Sequence, residues 1–341
     1  MRTNYLFAAS VIIVNYNGKG LTIEALRALE KQTFQDFEVI IVDNNSNDNS
    51  LDEIKSFLDL SLLKKRTTII ELSQNTGFTG GCNEGLKYAK GRYIVLLNND
   101  AQADKNWLNE LIKAADEHPK VGICASKIIT YGTNKIDAAG HLFAWFLKGF
   151  KRGEDEPAHL YDTEEYVFGA CGGAALYKRQ MIDEIGFFDK DFFLIYEDID
   201  LDFRAQLAGW KVLYVPSAIV YHRVHSTIGN LNNLFVYYTL RNIELVRIKN
   251  VPFSIFIACF FFFLLEEIAE FCFFYLKSKR NKIYFKAKKD AFKMIKSILK
   301  KRKVIMKNKK ITDKHLFTIM TPIWQKELLI SKLKKILKSE S

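Results

Sequence analysis

Five short stretches of this 341-residue chain carry side chains that can do chemistry together. Asp43 ends the apolar run VIIV, where a carboxylate can accept the imide N–H of a pyrimidine ring; a turn or cap role suits an Asp there equally well. The segment NTGFTGGCNEG, from Asn75 to Gly85, supplies glycines that let backbone N–H groups approach an anion at a helix start. It is neither a Walker loop nor a G-x-G-x-x-G fingerprint. Asn98, Asn99 and Asp100 follow YIVLL, placing a carboxylate at a strand end, either to ligate a divalent cation between two phosphates or to cap the helix near Trp107. Glu197, Asp198, Asp200 and Asp202 crowd an apparent helix start after FFLIY. Acids favour that positive end, and the Glu197-Asp198 pair also suits a positioned carboxylate base. His222 and His225 follow WKVLYVPSAIVY, each a metal ligand or a structural imidazole. Together these groups can hold a base, neutralise a diphosphate and take a proton.

Side chains so far apart need a scaffold that gathers strand ends. From residue 8 to about 127, β-rich runs alternate with helical patterns: AASVIIVN, LTIEALRALEKQ, FEVIIVD, NSLDEIKSFLDL, TTIIEL, GGCNEGLKYAK, RYIVLLNND, NWLNELIKAADEH and VGICASK. This alternation predicts an α/β fold with a mostly parallel sheet flanked by helices. Ligands on such sheets sit at the carboxyl ends of the strands. The polar clusters Asn15 to Gly18, Asp43 to Asp48, Asn75 to Gly81 and Asn98 to Asp100 fall at those ends, which suggests one crevice. After Ser126 the pattern is irregular until a helical stretch near Asp198 to Gly209 and a strand at WKVLYVP. The expected division is a catalytic domain over 1–250, with a nucleotide-binding half to about 127 and an acceptor and catalytic half over 128–250, followed by an apolar and basic helical region over 251–341.

Hydrophobic residues at 48% and charged residues at 26% fit neither a disordered chain nor a polytopic membrane protein. Five widely spaced cysteines without a C-x-x-C pair argue against a disulfide framework or a zinc site, and for a reducing compartment. The run Leu6 to Val14 leads straight into Asn15, Tyr16 and Asn17 with no small-residue cleavage pattern, and reads as a buried strand rather than a signal peptide. The net charge of +11 is uneven: from Lys277 to Ser341 there are 22 Lys+Arg against 4 Asp+Glu, whereas the first 276 residues hold 28 against 35. Such a basic block seeks a polyanion. The stretch PFSIFIACFFFFLL falls short of the about 20 apolar residues a membrane span needs, and Glu266, Glu267 and Glu270 interrupt the run on one helical arc. A helix lying in a membrane interface, or packed under the tail, fits better than a spanning one. Beside it, the Lys-rich segment from Lys286 to Lys310, with Phe292, Ile295 and Ile298 at helical spacing, favours anionic lipid over nucleic acid.

In order along the chain, VIIVNYNG, VDNNSNDNS, NTGFTGGCNEGL, LLNND, CGGAALYKRQMIDEIGFFD, FFLIYEDIDLDFRAQLAGW and VPSAIVYH resemble glycosyltransferase family 2, with the GT-A fold, and within it the rhamnosyltransferase-like branch. The resemblance covers about residues 8 to 225. It implies that Asn15, Tyr16 and Asn17 lie beside the nucleotide and Asp43 on its base, with Asn75, Gly77, Asn83 and Asn99 also on the nucleotide side. It makes Asp100 the metal-binding acid of the D-x-D element, His222 a further ligand, Asp198 the catalytic base, and CGGAAL the acceptor side. It also implies a bound Mg²⁺ or Mn²⁺, although the first D-x-D position is here Asn98, whose amide is a poorer cation ligand than a carboxylate. The implied reaction is an inverting single displacement from a nucleotide sugar, with dTDP-rhamnose as the branch's donor, to a lipid-linked or polysaccharide acceptor. The basic tail and the apolar stretch before it lead to an expected peripheral location on the cytoplasmic face of the membrane. A sugar nucleotidyltransferase and a catalytically silent scaffold of the same fold are the alternatives.

Overall fold

The computed structural model describes residues 5–223, 233–278 and 280–325; His225 and the basic residues after 325 lie outside them. Short runs rich in apolar residues form β1 (Phe7–Asn15), β2 (Phe37–Asp43), β3 (Thr67–Glu71) and β4 (Gly91–Leu97), all parallel, in the order β3-β2-β1-β4. Every residue of β2 is buried, as expected of a strand covered on both faces. The crossovers are α1 (Leu21–Glu30), α2 (Ser50–Leu60) and α3 (Gly77–Tyr88). Thr22, Ala25, Leu26 and Leu29 face inward from α1, which is the spacing of one helical stripe. Because β2 and β4 flank β1 on opposite sides, strand order reverses at β1, and the region beyond the carboxyl ends of β1 and β4 is where sheets of this kind take ligands.

The glycines of α3 also serve packing. A Cβ on Gly81 would lie 2.7 Å from Val14 Cγ1, one on Gly85 2.7 Å from Ile12 Cγ2, and one on Gly77 2.3 Å from the Phe193 carbonyl oxygen. Spaced four apart, they form a bare helix face pressed on the sheet and on the 193 loop. The helix start is also occupied: the Gly77 amide donates to Asn75 Oδ1 (2.8 Å) and the Thr79 amide to Phe193 O (3.2 Å).

After β5 (Ala101–Ala103) and α4 (Trp107–Glu117), β6 (Val121–Thr130) extends the sheet, followed by β7 (Ile136–Ala138), the hairpin β8 (His141–Ala144) and β9 (Lys148–Lys151), β10 (Glu165–Val167) and β11 (Ala174–Lys178). β11 slots antiparallel between β4 and β6. Next come α5 (Arg179–Ile185), α6 (Glu197–Leu207) and β12 (Lys211–His222), which runs parallel to β6 and carries β10 antiparallel at the sheet edge.

The remaining helices are α7 (Asn233–Asn250), α8 (Phe253–Cys272), α9 (Asn281–Lys293), α10 (Ile295–Lys307) and α11 (Asp313–Ile319). They do not stand apart. One buried cluster joins Phe143, Phe203 and Leu245 to Ile255, Cys259, Ala291, Ile298 and Leu316. The acids of α8 turn inward: Glu266 and Glu270 pair with Lys148, Glu267 with Arg247, and Glu267 and Glu270 with Lys288. The outer face keeps Phe253, Ile257, Phe261, Leu264, Leu265 and Ile268 exposed. Among the described residues no helix is long and apolar enough to cross a membrane.

Candidate active site at the strand reversal

Asn15, the last residue of β1, is fully buried and knits the first three loops together. Its Nδ2 reaches Asp43 Oδ1 (2.8 Å), Ser46 Oγ (3.0 Å) and Ser50 Oγ (2.9 Å), and its Oδ1 accepts from Thr22 Oγ1 (2.7 Å). Asp43 also accepts from the Ser46 amide (3.0 Å), so a base would meet its remaining lone pairs. Asn17, at φ 50°, accepts from the Asn47 amide (2.8 Å), and Tyr16 is exposed beside it. Asn44 carries the network on to Asn75 Oδ1 (3.1 Å). Asn83 donates to Phe188 O (2.8 Å), so it and Gly77 brace the 188–193 segment.

At the end of β4, Asn99 is buried with no partner for its Nδ2. A Cβ on Gly18 would come within 2.2 Å of that nitrogen and 2.6 Å of Asn15 Oδ1, so only glycine leaves this corner open. Asp100 Oδ1 lies 3.0 Å from His222 Nε2, while His222 Nδ1 lies 2.9 Å from Asp137 Oδ2, and Lys151 pairs with Asp137 at 2.6 Å. The pairing of His222 with Ala101 across β12 and β5 brings them together. Burial alone would lower the imidazole; the two carboxylates outweigh it and hold it up at about 10. The group suits a divalent cation: Asp137 can accept from Nδ1–H while a cation displaces the proton on Nε2, so that Asp100 and Nε2 would supply one oxygen and one nitrogen ligand oriented by a second carboxylate.

A run of contacts links this acid to Asp198. The Asn98 amide donates to Gly173 O (2.7 Å), and the Gly172 amide donates to Asp198 Oδ2 (3.0 Å). The Cys171-Gly172-Gly173 turn therefore stands between the two carboxylates. Asp198 keeps 15% of its side chain exposed. Its neighbour Glu197 is buried with Oε2 unpartnered; burial, then repulsion by Asp198, pushes its carboxyl well above the usual range. Burial and the missing partner set Glu197 apart from the partly exposed, amide-bonded Asp198, which separates two acids that the sequence left side by side.

The other acids of α6 are structural for a reason beyond the helix dipole. Asp200 is fully buried against Arg204 (2.9 Å), Lys249 (2.9 Å) and Asn250 Nδ2 (2.9 Å). Asp202 accepts from the Ala170 amide (3.1 Å) and lies 2.8 Å from His141 Nδ1; burial lifts its carboxyl to about 7 against the pull of His141. His141, which lies in the irregular half, was missed in the sequence. So was the strain ahead of α6: Phe193, Ile195 and Tyr196 hold φ of 64°, 68° and 70°, a costly region for aromatic and β-branched residues. Asn242 Nδ2 buttresses that turn, reaching the carbonyls of Phe192 (3.0 Å), Leu194 (2.8 Å) and Ile195 (2.6 Å).

Comparison with known proteins decides the family. The profile of glycosyl transferase family 2 matches residues 10–186, just over half of the chain. The chain belongs to glycosyltransferase family 2. Poly-beta-1,6-N-acetyl-D-glucosamine synthase of Staphylococcus epidermidis is 25% identical over 226 residues, covering 65% of this chain and 51% of the relative; the Staphylococcus aureus MSSA476 synthase is 24% identical over 224 residues, covering 64% and 51%. The chain thus spans about half the length of these curated relatives. Among solved structures, S. aureus TarS 1-349 superposes with a TM-score of 0.56 at 18% identity, covering 88% of both chains. GalNAc-T7 with UDP, GalNAc and Mn²⁺ superposes with a TM-score of 0.56 at 20% identity, covering 71% of this chain and 47% of that one. These two likenesses support the GT-A fold of this family 2 chain.

Proposed function

We propose that this family 2 glycosyltransferase moves a sugar, with inversion, from a pyrimidine nucleoside-diphosphate donor to a hydroxyl of a glycan or lipid-linked glycan during cell-surface polymer synthesis. The observation that carries the reading is the run from Asp100 through Asn98, Gly173 and Gly172 to Asp198, which sets a cation-type carboxylate and a partly exposed one across a single turn. A bound Mg²⁺ or Mn²⁺, held by Asp100 and His222, would offset charge on the departing diphosphate. The acceptor oxygen bonds to the anomeric carbon, the carbon–oxygen bond to the diphosphate breaks, and Asp198 takes the hydroxyl proton. Asp43 suits the imide of either uracil or thymine. The rhamnosyltransferase resemblance favours dTDP-rhamnose, whereas the names of the relatives favour a UDP-N-acetylhexosamine. The nucleotidyltransferase alternative needs a basic phosphate loop after β1; its cation there, Lys19, instead pairs with Glu53 (3.0 Å) at the surface.

Thermal unfolding of the full chain with UDP-N-acetylglucosamine, UDP-N-acetylgalactosamine, dTDP-rhamnose or GDP-mannose, each with and without Mn²⁺, tests this. A pyrimidine donor at 100 times its Kd should stabilise by about 2.7 kcal/mol. Asp100→Ala should remove the Mn²⁺-dependent part. Stabilisation by GDP-mannose alone, or equal stabilisation with and without Mn²⁺, speaks against it.

We also propose peripheral attachment to the cytoplasmic leaflet through α8 to α10. With its glutamates turned inward, α8 offers an apolar face, and Lys282, Lys286, Lys289, Lys293, Lys296, Lys300, Lys303 and Lys307 are exposed at alternating spacings of four and three along α9 and α10. Apolar burial and a polybasic surface are the two signals stable attachment needs. In flotation with phosphatidylglycerol vesicles, Phe253→Glu with Phe261→Glu should leave the protein in the soluble fraction while its melting temperature holds. Unchanged flotation would show that these faces are not the anchor.

A further inference from the structure

Asp198 also belongs to a second set of ligating groups. One atom each from His141, Cys171 and Asp198 lie within 4.8 Å of one another. They come from three separately anchored pieces: β8, the turn ahead of β11, and the first turn of α6. His141 is buried and Asp202 Oδ2 sits 2.8 Å from its Nδ1, so Asp202 can hold the proton there and leave Nε2 facing the other two groups, 3.8 Å from Asp198 Oδ2. A carboxylate behind a histidine is the usual support for a metal-ligating imidazole. Asp202 is itself fixed by the Ala170 amide.

We propose that His141, Cys171 and Asp198 form a binding site for Zn²⁺, distinct from the Asp100 and His222 pair, and that the ion silences the enzyme by occupying the base. Nitrogen, sulfur and oxygen from three side chains match the three-ligand, open-position pattern of zinc, and thiolate disfavours Mg²⁺ and Mn²⁺. Binding replaces the thiol proton of Cys171 by the metal and releases it to solvent. The widely spaced cysteines hid this, because the other two ligands are not cysteines. Silencing rests on Asp198 being the base; metal binding does not, and the experiment reads the two separately.

Co²⁺ serves as the spectroscopic stand-in. Added to the full chain, it should give one equivalent of tetrahedral visible absorption with a near-ultraviolet thiolate charge-transfer band, displaced by Zn²⁺ and not by excess Mg²⁺. Cys171→Ser should lose the charge-transfer band, and Asp202→Asn should weaken binding about 10- to 100-fold, while His222→Ala keeps both features. A measurement on the unaltered chain guards against variants that fail to fold: Zn²⁺ should protect Cys171, but not exposed Cys272, from alkylation. A charge-transfer band that survives in folded Cys171→Ser, or unprotected Cys171, overturns the site. Protection without any loss of transfer would keep the site and overturn the silencing.

Discussion

Asp198→Asn is expected to lower the turnover number for sugar transfer by about 10²-fold or more, the usual scale for losing a positioned proton acceptor. Donor affinity and melting temperature should stay near those of the unaltered protein. The amide keeps the size of the side chain, and its oxygen can still accept from the Gly172 amide, so the turn that links Asp198 to Asn98 survives. Neighbouring acids make poor controls where they are structural, as Asp200 and Asp202 are. Glu197→Gln is the informative one, because Glu197 is buried with its carboxyl pushed well above the usual range, and the amide keeps its size. It should turn over within a few-fold of the unaltered enzyme. Equal losses for the two variants, or none for Asp198→Asn, would mean that the proton leaves by another route.

Asn242→Ala should be the most damaging change outside the crevice. Three carbonyls of the strained turn before α6 lose their side-chain donor, and an unsatisfied buried polar group costs about 1–3 kcal/mol. With the buttress gone, the left-handed residues Phe193, Ile195 and Tyr196 can relax, shifting the start of α6 and Asp198 with it. A displacement of about 1 Å at a reacting group can cost about 10²-fold in rate. Stability and turnover should therefore fall together, in contrast to Asp198→Asn. Turnover should be measured at a temperature where near-ultraviolet circular dichroism shows the variant fully folded, with protease cleavage near residues 192–196 as a second readout. A folded Asn242→Ala enzyme with undiminished turnover would falsify the buttress.

How much of this was legible in the sequence depended on periodicity. β1 to β4 and their helices announce themselves by alternation of apolar runs and amphipathic stripes, and the crevice follows because the polar clusters stand at parallel strand ends. Asp100 and His222 could be nominated separately, but their 3.0 Å approach depends on β5 meeting β12, and three residues of β5 carry no sequence signal. Asp137, His141 and Lys151 come from short strands in the irregular half, where no period exists to place them. The glycines of α3 were ambiguous because a bare helix face and an anion-binding start need the same residue. The glutamates of α8 read as interruptions of an apolar run, since only packing reveals that Lys148, Arg247 and Lys288 draw them inward. Strain at Ile195 and Tyr196 is invisible in residue type, because it is imposed by Asn242 and the surrounding carbonyl contacts.

The buried cluster that joins Phe143 and Phe203 to Ile255, Ile298 and Leu316 changes how this chain can be handled and recombined. Ending it after Asn250 would bare apolar surface on α6 and α7 and leave Lys249 and Asp189 without the Lys301 partner network. A version made for crystallography is better obtained by recolouring the outer face of α8 with polar side chains than by cutting. The same holds for chimeras: a tail from another transferase brings the wrong knobs for these holes, so tail and catalytic half must be exchanged as one cassette.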